Sequence, residues 1–98
     1  MKEYMINLKL PLQIGEDFMA LIPKQRAQVN KLMKEGKILQ YALAADRSLL
    51  WITMIAKSER EVMSILSTLP LINYMQPEVH ALAFHNSISN DLPKLIMN

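Results

Sequence analysis

Ninety-eight residues are enough for one domain, and a chain that is 51% hydrophobic and 20% charged is neither disordered nor low in complexity. Eleven Lys and Arg against nine Asp and Glu leave a net charge of +2, too thinly spread for the concentrated basic face that nucleic-acid binding needs. The absence of cysteine excludes disulfides, thiol catalysis and thiolate metal sites, and it fits a reducing compartment.

The opening Met1-Lys2-Glu3-Tyr4 lacks the apolar core of a signal peptide. From Tyr4 to Leu10 the pattern has a period of two: Tyr4, Ile6, Leu8 and Leu10 face one way, Met5, Asn7 and Lys9 the other. That predicts a strand, ended by Pro11. Gly15 then opens a helical stretch whose apolar stripe is Phe18, Leu21, Ile22, Val29, Leu32 and Met33. Glu35-Gly36 stops it, with Gly36 suited to a left-handed cap. Pro23 lies inside this stretch, so either residues 16–22 form a separate turn or the helix bends there. Lys24, Lys31, Lys34 and Lys37, interrupted by Glu35, read as a solvated face.

Ile38 to Ala45 and Ser48 to Ala56 predict two more strands, joined at Asp46-Arg47 by a tight turn that lacks the usual Gly. The run Leu49 to Ala56, broken only by Thr53, is far too short to span a bilayer, so the expectation is a cytoplasmic protein without a membrane partner. Ser58-Glu59-Arg60-Glu61 is a capping box. Val62, Ile65, Leu66 and Leu69 form the buried stripe of the helix that it starts, and Pro70 ends that helix. Glu78 to His85 predicts the last strand. Residues 1–86 make the domain, and residues 87–98, with Pro93 and then Leu95-Ile96-Met97, make a tail expected to dock on a neighbouring subunit.

Strand, helix, two strands, helix, strand is the split βαβ order of a ferredoxin-like α+β fold, in which two helices cover one face of a four-stranded antiparallel sheet. The third strand is apolar on both sides, with Leu49, Trp51 and Ile55 opposed to Leu50, Ile52 and Met54. Its uncovered face is expected to meet the sheet of a second copy, giving a homodimer in the manner of a dimeric α+β barrel. The alternative is a monomer whose own tail covers that face.

No Gly-rich phosphate loop, Ser-His-Asp series or paired Asp motif is present, and no cofactor is implied. His80 and His85, five apart on the predicted strand, point to opposite faces and cannot chelate one metal, so no metal is expected. The anomaly is in the first helix, where Gln25 and Arg26 interrupt the inward stripe between Ile22 and Val29. Buried without partners they would cost at least ~1–3 kcal/mol. They therefore line a partly open cleft between helix and sheet, or Arg26 snorkels past the helix edge to water. Tyr4, Tyr41, Tyr74 and Trp51 are the aromatics able to line such a cleft and offer donors to a small ligand; core or interface packing is their other reading.

The run Leu69-Pro70-Leu71-Ile72-Asn73-Tyr74-Met75-Gln76-Pro77-Glu78-Val79, continuing to Leu82 and His85, resembles the LPLxxYMxxEVxxLxxH signature of the muconolactone delta-isomerases. The likeness extends over nearly the whole chain, with the family's Glu-Gly pair at Glu35-Gly36 and no gap from there to Leu69. The resemblance implies a ferredoxin-like subunit, a dimer built through its sheets, a larger ring such as a decamer, and cofactor-independent proton transfer within a lactone ring. Such chemistry needs a base beside an acidified C–H and a group to hold the enolate charge. In the family's pattern the helix-one Lys falls on Ile22 and the Glu on Gln25, while Arg26 replaces a following Lys. The strand-two run of His, Leu, Trp and Arg becomes Gln40, Tyr41, Ala42 and Leu43.

Three readings follow. In the first, the protein is isomerase-like and oligomeric and binds a small anionic metabolite through Gln25, Arg26, Tyr41 and Tyr74. In the second it is an active isomerase or lactone-processing enzyme with a relocated base, for which Glu78 and His80 are the candidates. In the third it is a structural or partner-binding subunit with no ligand, a reading favoured if Met19, Met33 and Met54 fill the cleft.

Overall fold

A computed structural model describes residues 1–88, running β1 (Lys2–Lys9), α1 (Glu16–Lys34), β2 (Ile38–Leu43), β3 (Leu49–Ala56), α2 (Glu59–Leu66) and β4 (Gln76–Ala81), with a 3-10 turn at Ile72–Tyr74. The strands form one antiparallel sheet in the order β2-β3-β1-β4, which is the ferredoxin-like α+β arrangement. Residues 89–98, most of the expected tail, lie outside the described residues. Among the described residues no helix is long and apolar enough to cross a membrane.

Alternation along the strands makes the core. Tyr4, Ile6 and Leu8 of β1 and Leu50, Ile52, Met54 and Ala56 of β3 are buried on the face under the helices. Phe18, Val29 and Leu32 of α1 and Val62, Ile65 and Leu66 of α2 pack onto them. Burial of each large side chain contributes roughly 1.5–3 kcal/mol. Tyr4 therefore belongs to the core and not to a cleft. Met33, expected on the inward stripe, is 42% exposed: in the last turn of the helix Leu32 is the residue that faces the core.

α1 runs unbroken through Pro23. Pro23 has no proton to donate to the Met19 carbonyl, and the buried contacts of Phe18 before it and Val29 after it hold the helix across that gap. Gly36, at φ 76°, closes the helix as a Schellman motif: Lys37 N–H reaches the Leu32 carbonyl at 2.9 Å and Gly36 N–H the Met33 carbonyl at 3.0 Å. α2 opens as expected, with Glu61 N–H donating to Ser58 Oγ at 3.2 Å. The Glu61 carboxylate reaches back one residue further, to Lys57 N–H at 3.2 Å. The helix stops at Leu66, short of Pro70, since the Thr68 hydroxyl takes the Ile65 carbonyl and the next turn tightens to i, i+3 bonds at Thr68 and Leu69.

β4 lies earlier than the sequence predicted. It follows β1 antiparallel from Gln76 against Lys9 to Ala81 against Tyr4, and one further bond, Leu82 N–H to the Glu3 carbonyl at 3.0 Å, closes the pairing. His85 is thus past the strand, where Nδ1 meets Glu3 Oε2 at 3.3 Å. The expectation that His80 and His85 occupy opposite faces of one strand is corrected accordingly.

On the open face Met5 and Asn7 of β1 lie beside Leu49, Trp51, Thr53 and Ile55 of β3, with Glu78 and His80 on the β4 side. Trp51, 38% exposed, is on this face and so does not line the cleft under the helices.

Candidate functional site

β2 carries a bulge at Leu39. Ile38 pairs with Met54, but Gln40 already pairs with Thr53, so one residue is extra. A bulge of this kind re-aims the side chains beyond it. Ile38 and Tyr41 consequently share the inner face, while Gln40 turns outward and its Oε1 lies 3.4 Å from Thr53 Oγ1. Tyr41 opposes Ile52 in the core register, with its hydroxyl under α1.

Between α1 and this part of the sheet is a cleft of about 360 Å³. Phe18 and Ile22 of α1 form one wall, and Leu43 and Leu50 of the sheet form the other. Leu71 and Met75, both buried and both in the signature run, and Leu10 and Ile14 complete the apolar lining. Four polar residues complete the lining: Gln25, Arg26, Tyr41 and Arg47. Met19, Met33 and Met54 do not line it, so the filling that would have favoured the third reading is not seen among the described residues.

Gln25 is 3% exposed and is fully engaged across the cleft floor. Its Oε1 accepts from Leu71 N–H at 3.0 Å, and its Nε2 donates to the Tyr41 hydroxyl at 3.2 Å. One side chain therefore ties α1 to β2 and to the loop before β4. That arrangement answers the cost of an amide on an apolar stripe. Arg26, one residue on, lies at the exposed edge of the same cleft.

Arg47 reaches the cleft from the β2–β3 turn and was not foreseen. Its φ of 64° is left-handed, the conformation the turn demands of a residue that would ordinarily be Gly. Asp46 secures the turn by accepting from Ser48 N–H at 3.0 Å and Ser48 Oγ at 2.6 Å. The Ser48 hydroxyl, then its N–H, hold the Asp46 carboxyl below its ordinary pKa. A non-Gly residue in a Gly position is the one local irregularity from which Arg47 could have been suspected. Among the described residues neither Arg26 nor Arg47 forms an ion pair, and no carboxylate lines the cleft.

The other candidates lie elsewhere. Tyr74 packs edge-on against Phe18, with ring centroids 5.4 Å apart, and lines a second depression that shares Phe18 with the cleft and carries Glu16 and Asp17. Glu78 and His80 contact each other at 2.7 Å on the open face, with the sheet between them and the cleft. The hydrogen bond to His80, reinforced by its charge, holds the Glu78 carboxyl below its ordinary pKa. Among the described residues no group of three or more His, Asp or Glu is placed to hold a metal ion.

A ferredoxin-like sheet with a small, mostly apolar cleft beneath its first helix defines the class. The family model for muconolactone delta-isomerase matches residues 4–88, and the chain belongs to that family. A crystal structure of a muconolactone isomerase superposes with a TM-score of 0.70 at 22% identity, over 88% of this chain and 93% of that one, a likeness that shows the fold. Among curated proteins none matches.

Proposed function

We propose that the protein binds a small anionic metabolite in the cleft, gripped at the mouth by Arg26 and Arg47, and does so without turning it over. The observation that carries this reading is two guanidinium groups, unpaired among the described residues, on an otherwise mostly apolar cavity with no acidic lining. An apolar wall lowers the local dielectric and so strengthens attraction for an anion, and guanidinium matches a carboxylate with paired hydrogen bonds. The volume suits a metabolite-sized ligand.

Isomerisation of a lactone needs a base that can take a proton from carbon. Gln25, where the resemblance implies a carboxylate, is a neutral amide, which supports binding over catalysis. The open sheet face supports self-association as part of the same reading, and the cysteine-free composition is in keeping with a cytoplasmic setting.

Muconolactone, the compound in the family's name, is the first probe. Calorimetry should show saturable binding, weakened at least ~10-fold in Arg26→Met because a charge-assisted hydrogen bond is lost, with an unchanged melting temperature. Proton NMR in deuterated buffer should show conversion to the enol-lactone no faster than in buffer alone. Faster turnover with deuterium entering the ring would reject the non-catalytic reading, and loss of that turnover in Glu78→Gln or His80→Gln would move the reacting site from the cleft to the open face.

A further inference from the structure

A backbone N–H can only donate, and that single fact fixes hydrogen-bond directions along the cleft floor. Leu71 N–H points at the Gln25 side-chain oxygen, so the amide nitrogen is the end facing Tyr41. An amide N–H also can only donate, so the Tyr41 oxygen accepts. The phenolic proton is then left over. Gln25 and Leu71 are 3% and 5% exposed, too buried for water to substitute for either partner and reverse the chain. The bulge at Leu39 puts Tyr41 on the inner face of the sheet, where it lines the cleft.

We propose that the Tyr41 hydroxyl is a one-way donor to a carbonyl or carboxylate oxygen of the bound ligand. Tyr41 is then a specificity-determining residue, and Gln25 is the positioning residue that keeps its proton turned to the cleft. This rests on the anion-binding reading and narrows it to a class: small carboxylates with a second oxygen acceptor, as in a lactone or keto acid. A site built to donate discriminates against a ligand without the acceptor, because the hydroxyl is left unpaired. Glutamate at position 25 would work in the opposite sense. Its carboxylate would accept from both Leu71 N–H and Tyr41 O–H, and the proton offered to the ligand would be consumed.

Two measurements test this. The first compares muconolactone with (tetrahydrofuran-2-yl)acetate, which keeps the carboxylate but lacks the ring carbonyl. Tyr41→Phe should weaken muconolactone binding roughly three- to tenfold, the effect of one hydrogen bond, and leave the carbonyl-free analogue unchanged. The second is the tyrosine Fermi doublet in ultraviolet resonance Raman spectra, isolated for Tyr41 by subtracting the Tyr41→Phe spectrum. Without ligand it should report a phenol that accepts in the wild-type protein and one that only donates in Gln25→Glu, each difference taken within its own background. Equal loss of both ligands in Tyr41→Phe, or no loss of either, would reduce Tyr41 to packing. The doublet of a phenol that only donates, in the ligand-free wild type, would overturn the relay. If the wild type binds neither compound, the ligand reading of the cleft fails and this role fails with it, while the doublet still shows whether the relay exists.

Discussion

Arg47 adopts a left-handed backbone that costs an L residue roughly 1–2 kcal/mol, and the turn would be better served by Gly, which gives back ~0.5–1 kcal/mol through its unfolded-state entropy. Arg47→Gly should therefore raise unfolding stability by about 0.5–1 kcal/mol in denaturant titration while weakening anion binding. Stability and binding moving in opposite directions would mark strain retained for function. The sign of the pH dependence follows from Asp46. Its carboxyl is depressed in the folded turn, so its contribution is present above the ordinary carboxylate pKa and is lost as pH falls through the lowered value. Binding through Arg47 should accordingly hold steady from neutral pH down to about pH 5 and decline only in stronger acid. At this scale Gln25 and Arg26 were legible in the sequence because polar groups on an apolar stripe need a reason. Arg47 was not, since its role comes from a turn that brings residues distant in sequence to one mouth.

The elements were readable wherever periodicity was clean. β1, β3 and α2 follow from alternation or from a capping box, and Gly36 marks its helix end by chemistry alone. What the sequence hid were features set by partners. β4 ends at Ala81, where its pairing with β1 stops at Tyr4, and the bulge at Leu39 is a matter of register between two strands that no local pattern announces. The signature run is informative in a different way: Leu69, Leu71 and Met75 are buried, and Leu71 N–H holds Gln25, so much of the signature serves to seat the loop against α1. Gln25→Leu should cost about 1–3 kcal/mol of stability, because the buried Leu71 N–H would lose its partner. Arg26→Met, one residue along the same helix but exposed, should leave the unfolding midpoint unchanged. A smaller effect is due at α2, where Ser58→Ala removes the N-cap and should cost about 1 kcal/mol by the same titration.

For the whole molecule the open face of the sheet is the surface on which the proposed self-association rests. It presents Trp51 among Met5, Leu49 and Ile55, with the helices on the opposite side. Strands about 4.8 Å apart and roughly 20–25 Å long give a four-stranded face a projected area of roughly 450 Å². A stable interface buries about 800 Å² of accessible surface per partner, which the relief of the side chains on this face and the segments beside it must together supply. The segment after β4 can supply part of it. His85 ties it to Glu3 of the open face at 3.3 Å, and it carries Phe84 and Ile88, which are 78% and 63% exposed. The proposed dimer therefore joins the two sheets at their centres and the post-β4 segments at the rim. Sedimentation of the wild-type protein should show a dimer or a larger ring. Trp51→Glu should give a folded monomer, because it buries two like charges at the centre of the contact. Phe84→Ser should weaken association without abolishing it, since a rim contact adds area but excludes no charge. A wild-type monomer at high concentration would refute the dimer and favour the alternative in which the chain's own tail covers that face. An oligomer unaffected by Trp51→Glu would place the interface on a different surface, with the exposed Met19, Met33 and Met63 of the helices the next to substitute.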